Sequence, residues 1–256
     1  MPGFRVGIDG GSTFCKVALI APDSELLDRR TAKSGWQPAA TAARLLEEVL
    51  TDAGLPRSQV SVTCTGYSRE SIDFADGSLT EITAHARGAV FLCPDSCGVV
   101  DIGGQDSKVI RLGQGGMVQE FMMNDKCAAG TGRFVEMALR TLECELSEVD
   151  SLCDLTNAAA INSMCTVFAE SEIIGLIAAG THRGQILGGV MCSIASRIGQ
   201  MLTRVGMPAQ GRLLMTGGLS GFESLVKSIG SVSGRDIAAH PDSIYAGAIG
   251  AALSGR

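Results

Sequence analysis

Two periods of apolar spacing alternate along the chain, and glycines mark where one gives way to the other. Phe4-Arg5-Val6-Gly7-Ile8-Asp9 is a short, largely apolar run closed by an aspartate. A glycine turn follows, Gly10-Gly11-Ser12-Thr13, and then a second strand-like run, Cys15 to Ile20. Strand, glycine turn and strand read as a hairpin, not as the strand–turn–helix of a Walker loop or a dinucleotide fold. Helical spacing of Ala43, Leu46, Val49 and Leu50 predicts a helix over 39–53, stopped by Gly54. Val60 to Thr65 reads as a strand ended by Gly66, and 83–92 as a short helix before Pro94.

At Gly98 the opening pattern returns. Val99-Val100-Asp101-Ile102 is an apolar strand with an aspartate, Gly103-Gly104-Gln105-Asp106-Ser107 a polar glycine turn, and Lys108 to Leu112 an alternating strand. The two aspartate–glycine turns lie about 90 residues apart, which predicts a duplicated α/β domain. The expected halves are 1–97 and 98–256. Each supplies one hairpin loop to a cleft between them, and the last helix, Ala246 to Leu253, is placed to pack back on the first half. The second half holds three further apolar faces: Phe134, Val135, Ala138, Leu139 and Leu142; Val167, Phe168, Ile174, Ile177 and Ala178; and a long stripe from Ile186 to Val205. The long stripe is expected in the core. Leu213-Leu214-Met215 reads as a buried strand running into Thr216-Gly217-Gly218-Leu219-Ser220-Gly221.

Composition narrows the function. The 256 residues carry 21 basic and 27 acidic side chains, a net charge of −6, which argues against a nucleic-acid partner. No uninterrupted apolar run reaches the roughly 18 residues that span a bilayer, and no secretory leader is evident, so a cytoplasmic protein without a membrane partner is expected. The nine cysteines include no C-x-x-C pair. A disulfide framework, a zinc ribbon and a ferredoxin-type ligand run are therefore not expected. Any metal would have to be held from separated segments.

The turns carry the chemistry. Phosphate oxygens need backbone N–H donors at close range, which Gly10, Gly11, Gly103 and Gly104 permit. Ser12 and Thr13 add hydroxyls, Lys16 a positive charge, and Asp106 stands in the second turn. Asp9 and Asp101 end their strands beside the loops, where a carboxylate can hold Mg²⁺ or orient an attacking water. Gln105 suits the positioning of that water. Gly217, Gly218 and Ser220 form a third turn. These residues resemble the actin/hexokinase/Hsp70 ATPase superfamily: two phosphate loops, and an adenosine-binding turn at 216–221.

A second constellation is Asn124-Asp-Lys-Cys-Ala-Ala-Gly-Thr-Gly-Arg-Phe134, with Gly130 and Gly132 counted among the nucleotide-binding positions. Cys127 precedes a predicted helix, and Cys165 precedes another in Cys165-Thr-Val-Phe-Ala-Glu-Ser-Glu172. A helix N-terminus stabilises a thiolate. Two ligands per chain cannot fill a tetrahedral cluster; a twofold dimer would double them. Composition alone does not lift these two cysteines above the other seven. Together with Asp101-Ile-Gly-Gly-Gln-Asp-Ser-Lys108, however, these segments resemble the BadF/BadG/BcrA/BcrD-type ATPase family, the activators of 2-hydroxyacyl-CoA dehydratases. The resemblance runs from Gly7 to Leu253. It implies a homodimer bridged by one [4Fe–4S] cluster on Cys127 and Cys165, using ATP and cycling through ADP. It implies transfer of a low-potential electron, received from ferredoxin or flavodoxin, to a partner iron–sulfur dehydratase or reductase. Two alternatives stay open: a small-molecule (sugar-type) kinase on the same fold, and a regulatory ATP-binding module with inert cysteines.

Other residues receive plainer readings. His85, His182 and His240 are isolated, Cys93 and Cys97 flank a loop proline, and Trp36 reads as packing or a loop anchor. Only about eleven residues separate Leu112 from Asn124, so a shift at the γ-phosphate is expected to travel along that short connection to the Cys127 helix.

Overall fold

The structure, a computed structural model, describes residues 3–162 and 165–255. Ten strands form two five-stranded sheets. The first contains β1 (Phe4–Gly10), β2 (Phe14–Ile20), β3 (Leu26–Lys33), β4 (Val60–Thr65) and β5 (Gly77–Ser78), in the order β3-β2-β1-β4-β5. The second contains β6 (Ser96–Ile102), β7 (Ser107–Leu112), β8 (Val118–Asn124), β9 (Arg212–Thr216) and β10 (Asp236–Ala239), in the order β10-β9-β6-β7-β8. With the second order reversed, the two are identical. In each sheet the first three strands pair antiparallel, and the fourth pairs parallel to the first.

The correspondence holds residue by residue. Asp9 stands opposite Lys16 on one side and Thr65 on the other; Asp101 stands opposite Lys108 and Thr216. The glycines after the two threonines match as well. Gly66 (φ +95°) and Gly217 (φ +84°) are both left-handed, and a Cβ on either would lie 2.6 Å from the Oδ1 of its own aspartate. Only glycine combines that backbone with that approach.

The helices are α1 (Pro38–Asp52), α2 (Glu81–Leu92), α3 (Gly132–Leu142), α4 (Val149–Leu152), α5 (Thr166–Ala178), α6 (Arg183–Val205), α7 (Glu223–Ser233) and α8 (Ala246–Ala252). Helix α1 covers the first sheet, burying Ala42, Leu45, Leu46 and Val49 against Val6, Ile8, Val17 and Leu19. The stripe of α6 lies in the largest core, with Val100, Ile102 and Val109 of the second sheet. This helix is long and apolar enough by composition to cross a bilayer, yet its apolar face is core.

Helices α2 and α8 are exchanged between the halves. Ala86 and Ala89 of α2 pack with Val99, Ile110 and Leu214 of the second sheet. Ala248, Ile249 and Ala252 of α8 pack with Ala18 and Ile20 of the first. The two helices cross where Gly88 meets Ala246 and Gly250 meets Ala84, so closely that a Cβ would fall within 1.9 Å of a carbonyl oxygen. A division at 97/98 therefore does not follow the packing. It also cuts β6, whose pairing with β9 shifts register between Ser96 and Gly98. That irregularity hides the strand's first residues from a periodicity reading.

Two further expectations are corrected. Val167, Phe168, Ile174, Ile177 and Ala178 are exposed, with Val167 and Phe168 each 69% accessible; α5 buries only Ala169 and Ile173. Trp36 anchors nothing and is 88% accessible.

Candidate functional site

The two hairpin turns face each other. A Cβ built on Gly104 would lie 2.2 Å from Thr13 Oγ1 and 3.4 Å from Ser12 Oγ. A cavity of about 410 Å³ opens at this junction. Asp9, Gly11, Ser12, Thr13 and Lys16 line it from the first hairpin, and Asp101, Gly103, Gly104, Gln105 and Asp106 from the second. Gly217 and Gly218 line it from the third turn, and Gly132 from the start of α3.

Three predicted positions lie off it. A Cβ on Gly10 would meet Ile72 and Ser68, and one on Gly130 would meet Asn124 and Arg197. Ser220 is buried and donates its hydroxyl to the Gly217 carbonyl at 2.8 Å, closing its own turn. Sequence reasoning in turn passed over Glu81, His85 and Lys108, all in the lining. Lys108 was signalled: it follows Asp101 at the interval by which Lys16 follows Asp9. Glu81 and His85 arrive on α2, one turn apart, through the helix exchange, and nothing local announces that.

The charges differ between the halves. Lys16 Nζ has one carboxylate partner, Asp9 Oδ2 at 3.3 Å. Lys108 Nζ, 2% accessible, lies 2.9 Å from Glu81 Oε2, 2.9 Å from Asp106 Oδ1 and 3.2 Å from Asp101 Oδ2. Burial would raise the Asp101 carboxyl, but His85, Lys108 and the Thr216 hydroxyl outweigh it and hold it at about 2. Burial prevails at Asp106, which is raised despite Lys108. Both lysines are held above their ordinary range: burial opposes their charge, but Asp9 and Asp101 at Lys16, and Asp101, Glu81 and Asp106 at Lys108, outweigh it. Three carboxylates, two from the second hairpin and Glu81 from α2, thus surround one ammonium.

Neither Cys127 nor Cys165 lines the cavity. Cys127 is half-buried, immediately before a 3₁₀ turn at Ala128–Gly130. Asn124 brackets it: Oδ1 accepts from the Cys127 amide at 3.2 Å, and Nδ2 donates to the Cys127 carbonyl at 2.9 Å. Cys165 is exposed, immediately before α5. Among the described residues no three His, Cys, Asp or Glu side chains gather as a metal site. A pair of accessible thiols fits a cluster only if a second chain supplies as many.

The route between hairpin and cysteine is not the expected connection. The stretch between Leu112 and Asn124 is filled by β8, which pairs with β7 along its length. The contact is direct. Gly132 N–H donates to Gly103 O at 2.9 Å, and Arg133 N–H to Gly104 O at 3.0 Å. The first amides of α3, unsatisfied within the helix, are thus tied to the second phosphate turn, a few residues beyond Cys127.

Comparison with known proteins agrees with this arrangement. The model of the BadF/BadG/BcrA/BcrD ATPase family matches residues 6–255. The chain is 44% identical to the uncharacterized protein YjiL of Escherichia coli over 99% of its length and 97% of the relative's. It is 38% identical to the activator of lactoyl-CoA dehydratase of Anaerotignum propionicum, covering 98% and 96%. Among solved structures, component A of the (R)-2-hydroxyglutaryl-CoA dehydratase of Acidaminococcus fermentans superposes with a TM-score of 0.92 at 37% identity, covering 98% and 97%. The activator of the 2-hydroxyisocaproyl-CoA dehydratase from Clostridium difficile, with bound ADPNP, gives 0.91 at 34%, covering 98% and 94%. A ROK family glucokinase from Streptomyces griseus shares the fold alone, at 14% identity and a TM-score of 0.60.

Proposed function

The chain belongs to the BadF/BadG/BcrA/BcrD ATPase family, and from that premise we propose that it is an ATP-hydrolysing activator that delivers a low-potential electron to a partner dehydratase. The observation that carries the reading is the pair of hydrogen bonds from the first amides of α3 to Gly103 O and Gly104 O. They join the phosphate turn to the segment bearing Cys127. A kinase reading is not favoured: its support is fold alone, whereas relatives matched along nearly the full chain include dehydratase activators.

The reaction is attack of water on the γ-phosphorus with ADP as leaving group. Ser12, Thr13 and the glycine backbones of both hairpins donate to the phosphates. Lys16, with a single carboxylate beside it, adds positive charge to them. Gly217 and Gly218 form the wall for the adenosine. Gln105 orients the attacking water. The carboxylates at Asp101, Asp106 and Glu81 suit hydrated Mg²⁺, with Asp9 facing them across the cleft. Such electrostatic positioning is the main resource of phosphoryl transfer.

Cys127 and Cys165 would hold a [4Fe–4S] cluster together with the same two residues of a second chain. When bound, that cluster supplies one-electron chemistry at low potential. The exposed apolar side chains of α5, beginning two residues after Cys165, suit the dimer contact. Ferredoxin or flavodoxin is the electron donor of this reading, and a partner iron–sulfur dehydratase or reductase the acceptor. Among the described residues no cysteine forms a disulfide, in keeping with a reducing compartment.

Anaerobic purification tests the reading. About four iron per dimer and ATP-dependent reduction of an added iron–sulfur dehydratase are expected. Cys127→Ser or Cys165→Ser should lose the iron and Cys97→Ser keep it. Full iron in Cys127→Ser would remove that ligand, and a colourless protein with sugar-dependent ATP use would restore the kinase.

A further inference from the structure

His85 sits where the duplication breaks its own symmetry. The crossing of α2 and α8 matches Ala84 with Ala246 and Gly88 with Gly250, each glycine meeting the other helix's alanine carbonyl. The same offset pairs His85 with Gly247. On the α2 side, His85 is buried, with Nδ1 3.0 Å from Thr216 Oγ1 and 3.3 Å from Asp101 Oδ1. Thr216 donates its single hydroxyl proton to Asp101 Oδ1 at 3.0 Å. The bond between histidine and threonine therefore forms with Nδ1–H as donor. On the α8 side there is no side chain to repeat this. The hydroxyl of Thr65, counterpart of Thr216, is buried and has no hydrogen-bond partner among the described residues.

The reason is space. A Cβ on Gly247 would lie 3.0 Å from His85 Nε2 and 3.1 Å from Asp9 Oδ2. One imidazole thus occupies the volume that two symmetric side chains would need. Its Nδ1 edge holds the aspartate of the second hairpin, and its Nε2 edge abuts the helix that backs the first hairpin, beside that hairpin's aspartate.

We propose that His85 is the positioning residue that fixes Asp101 for phosphoryl transfer and ties its orientation to the α2–α8 crossing, so that both hairpins meet the phosphates in one register. The inference rests on the ATPase reading of this cleft and adds to it a residue that acts through Asp101. A misplacement of a catalytic group by about 1 Å can cost on the order of 100-fold in turnover, and Asp101 has no other partner that also reaches α8.

The test uses the full chain purified without oxygen: wild type, His85→Ala, His85→Asn, Gly247→Ala and the His85→Ala/Gly247→Ala pair. Each is checked for folding by thermal unfolding and assayed for steady-state ATP hydrolysis. His85→Ala should lower kcat on the order of 10- to 100-fold, with the KM for ATP within about threefold. His85→Asn, whose amide can still donate to Thr216, should recover part of kcat. Gly247→Ala, which presses on Nε2 and on Asp9 Oδ2, should lower kcat about tenfold alone and lose most of that effect in the His85→Ala background, where the ring is gone and the new methyl can settle away from Asp9. Folded His85→Ala with wild-type kcat overturns the proposal. So does a loss in kcat matched by the loss of folded protein, or an equal effect of Gly247→Ala in both backgrounds. If His85→Ala fails to fold, His85→Asn and Gly247→Ala decide, and wild-type turnover in both overturns it. A wild-type protein without ATPase activity would instead bring down the functional reading, and this inference with it.

Discussion

The two hairpins share one register and do opposite things with it. Asp9 faces Lys16 and Asp101 faces Lys108 across equivalent rungs. Lys16 meets one carboxylate and lies at the cavity wall. Lys108 is buried among three. Duplication therefore preserved the ladder while its surroundings divided the labour. Glu81, carried in by α2, and Asp106 place the second lysine at the centre of an anionic network. A conserved spacing within one chain fixes where a charge stands, and the neighbours that reach it decide what the charge does.

The comparison is broken most directly at the lysines. Lys108→Ala should cost about 3–5 kcal/mol of stability, because buried Asp101 and the half-buried Glu81 and Asp106 lose their shared cation. Chemical denaturation measures this, and a loss near that of Lys16→Ala would show the two lysines to be equivalent after all. Next in size, Asp101→Asn should lower ATP turnover on the order of 100-fold, about 2.7 kcal/mol of transition-state stabilisation, with a smaller loss of stability. Unchanged turnover would make the second hairpin structural. Lys16→Ala should raise the KM for ATP about tenfold, roughly 1.4 kcal/mol, with little change in unfolding midpoint; calorimetric ATP titration checks it, and wild-type affinity would remove Lys16 from the phosphates.

The smallest effect sharpens the electrostatic contrast. Asp101 titrates at about 2, below the ordinary carboxylate value of about 3.9. The native state therefore holds its proton less readily than the unfolded chain. The stability this contributes is present above about pH 4 and is lost as pH falls towards 2. Asp106 is raised and acts with the opposite sign: its contribution is present at low pH and is lost as pH rises through its native value. Asp101→Asn should flatten the fall in stability between about pH 4 and pH 2, read by denaturant unfolding at stepped pH. An unaltered slope would mean that another carboxylate sets it.

Much of the fold was legible in local patterns. The hairpins of both halves, α1, α6 and β9 follow from period, glycine and apolar runs whose meaning is settled within a few residues. The strands β3 and β8 were missed: β3 interleaves Asp28, Arg29 and Arg30 with its apolar positions, and β8 exposes Val118, Phe121 and Met123 instead of burying one face. Helix α5 was read as carrying one apolar face, and the positions of that face are exposed. It is apolar on several sides, so periodicity could not say which side is covered. Within the site, the glycine turns, Asp9, Lys16, Asp101 and Gln105 were readable because each sits inside its own motif.

What the sequence determined by itself is the duplicated strand–turn–strand, with its aspartates, lysines and glycines at matching intervals, because register within a hairpin is set by adjacent residues. Only the tertiary structure decided which lysine gathers further carboxylates, that Glu81 and His85 belong to the cleft, and that α3 hangs from the second turn by two amides. Those outcomes depend on α2 and α8 crossing between the halves at Gly88 and Gly250. Contact between backbones far apart in the chain leaves no period for a sequence to display.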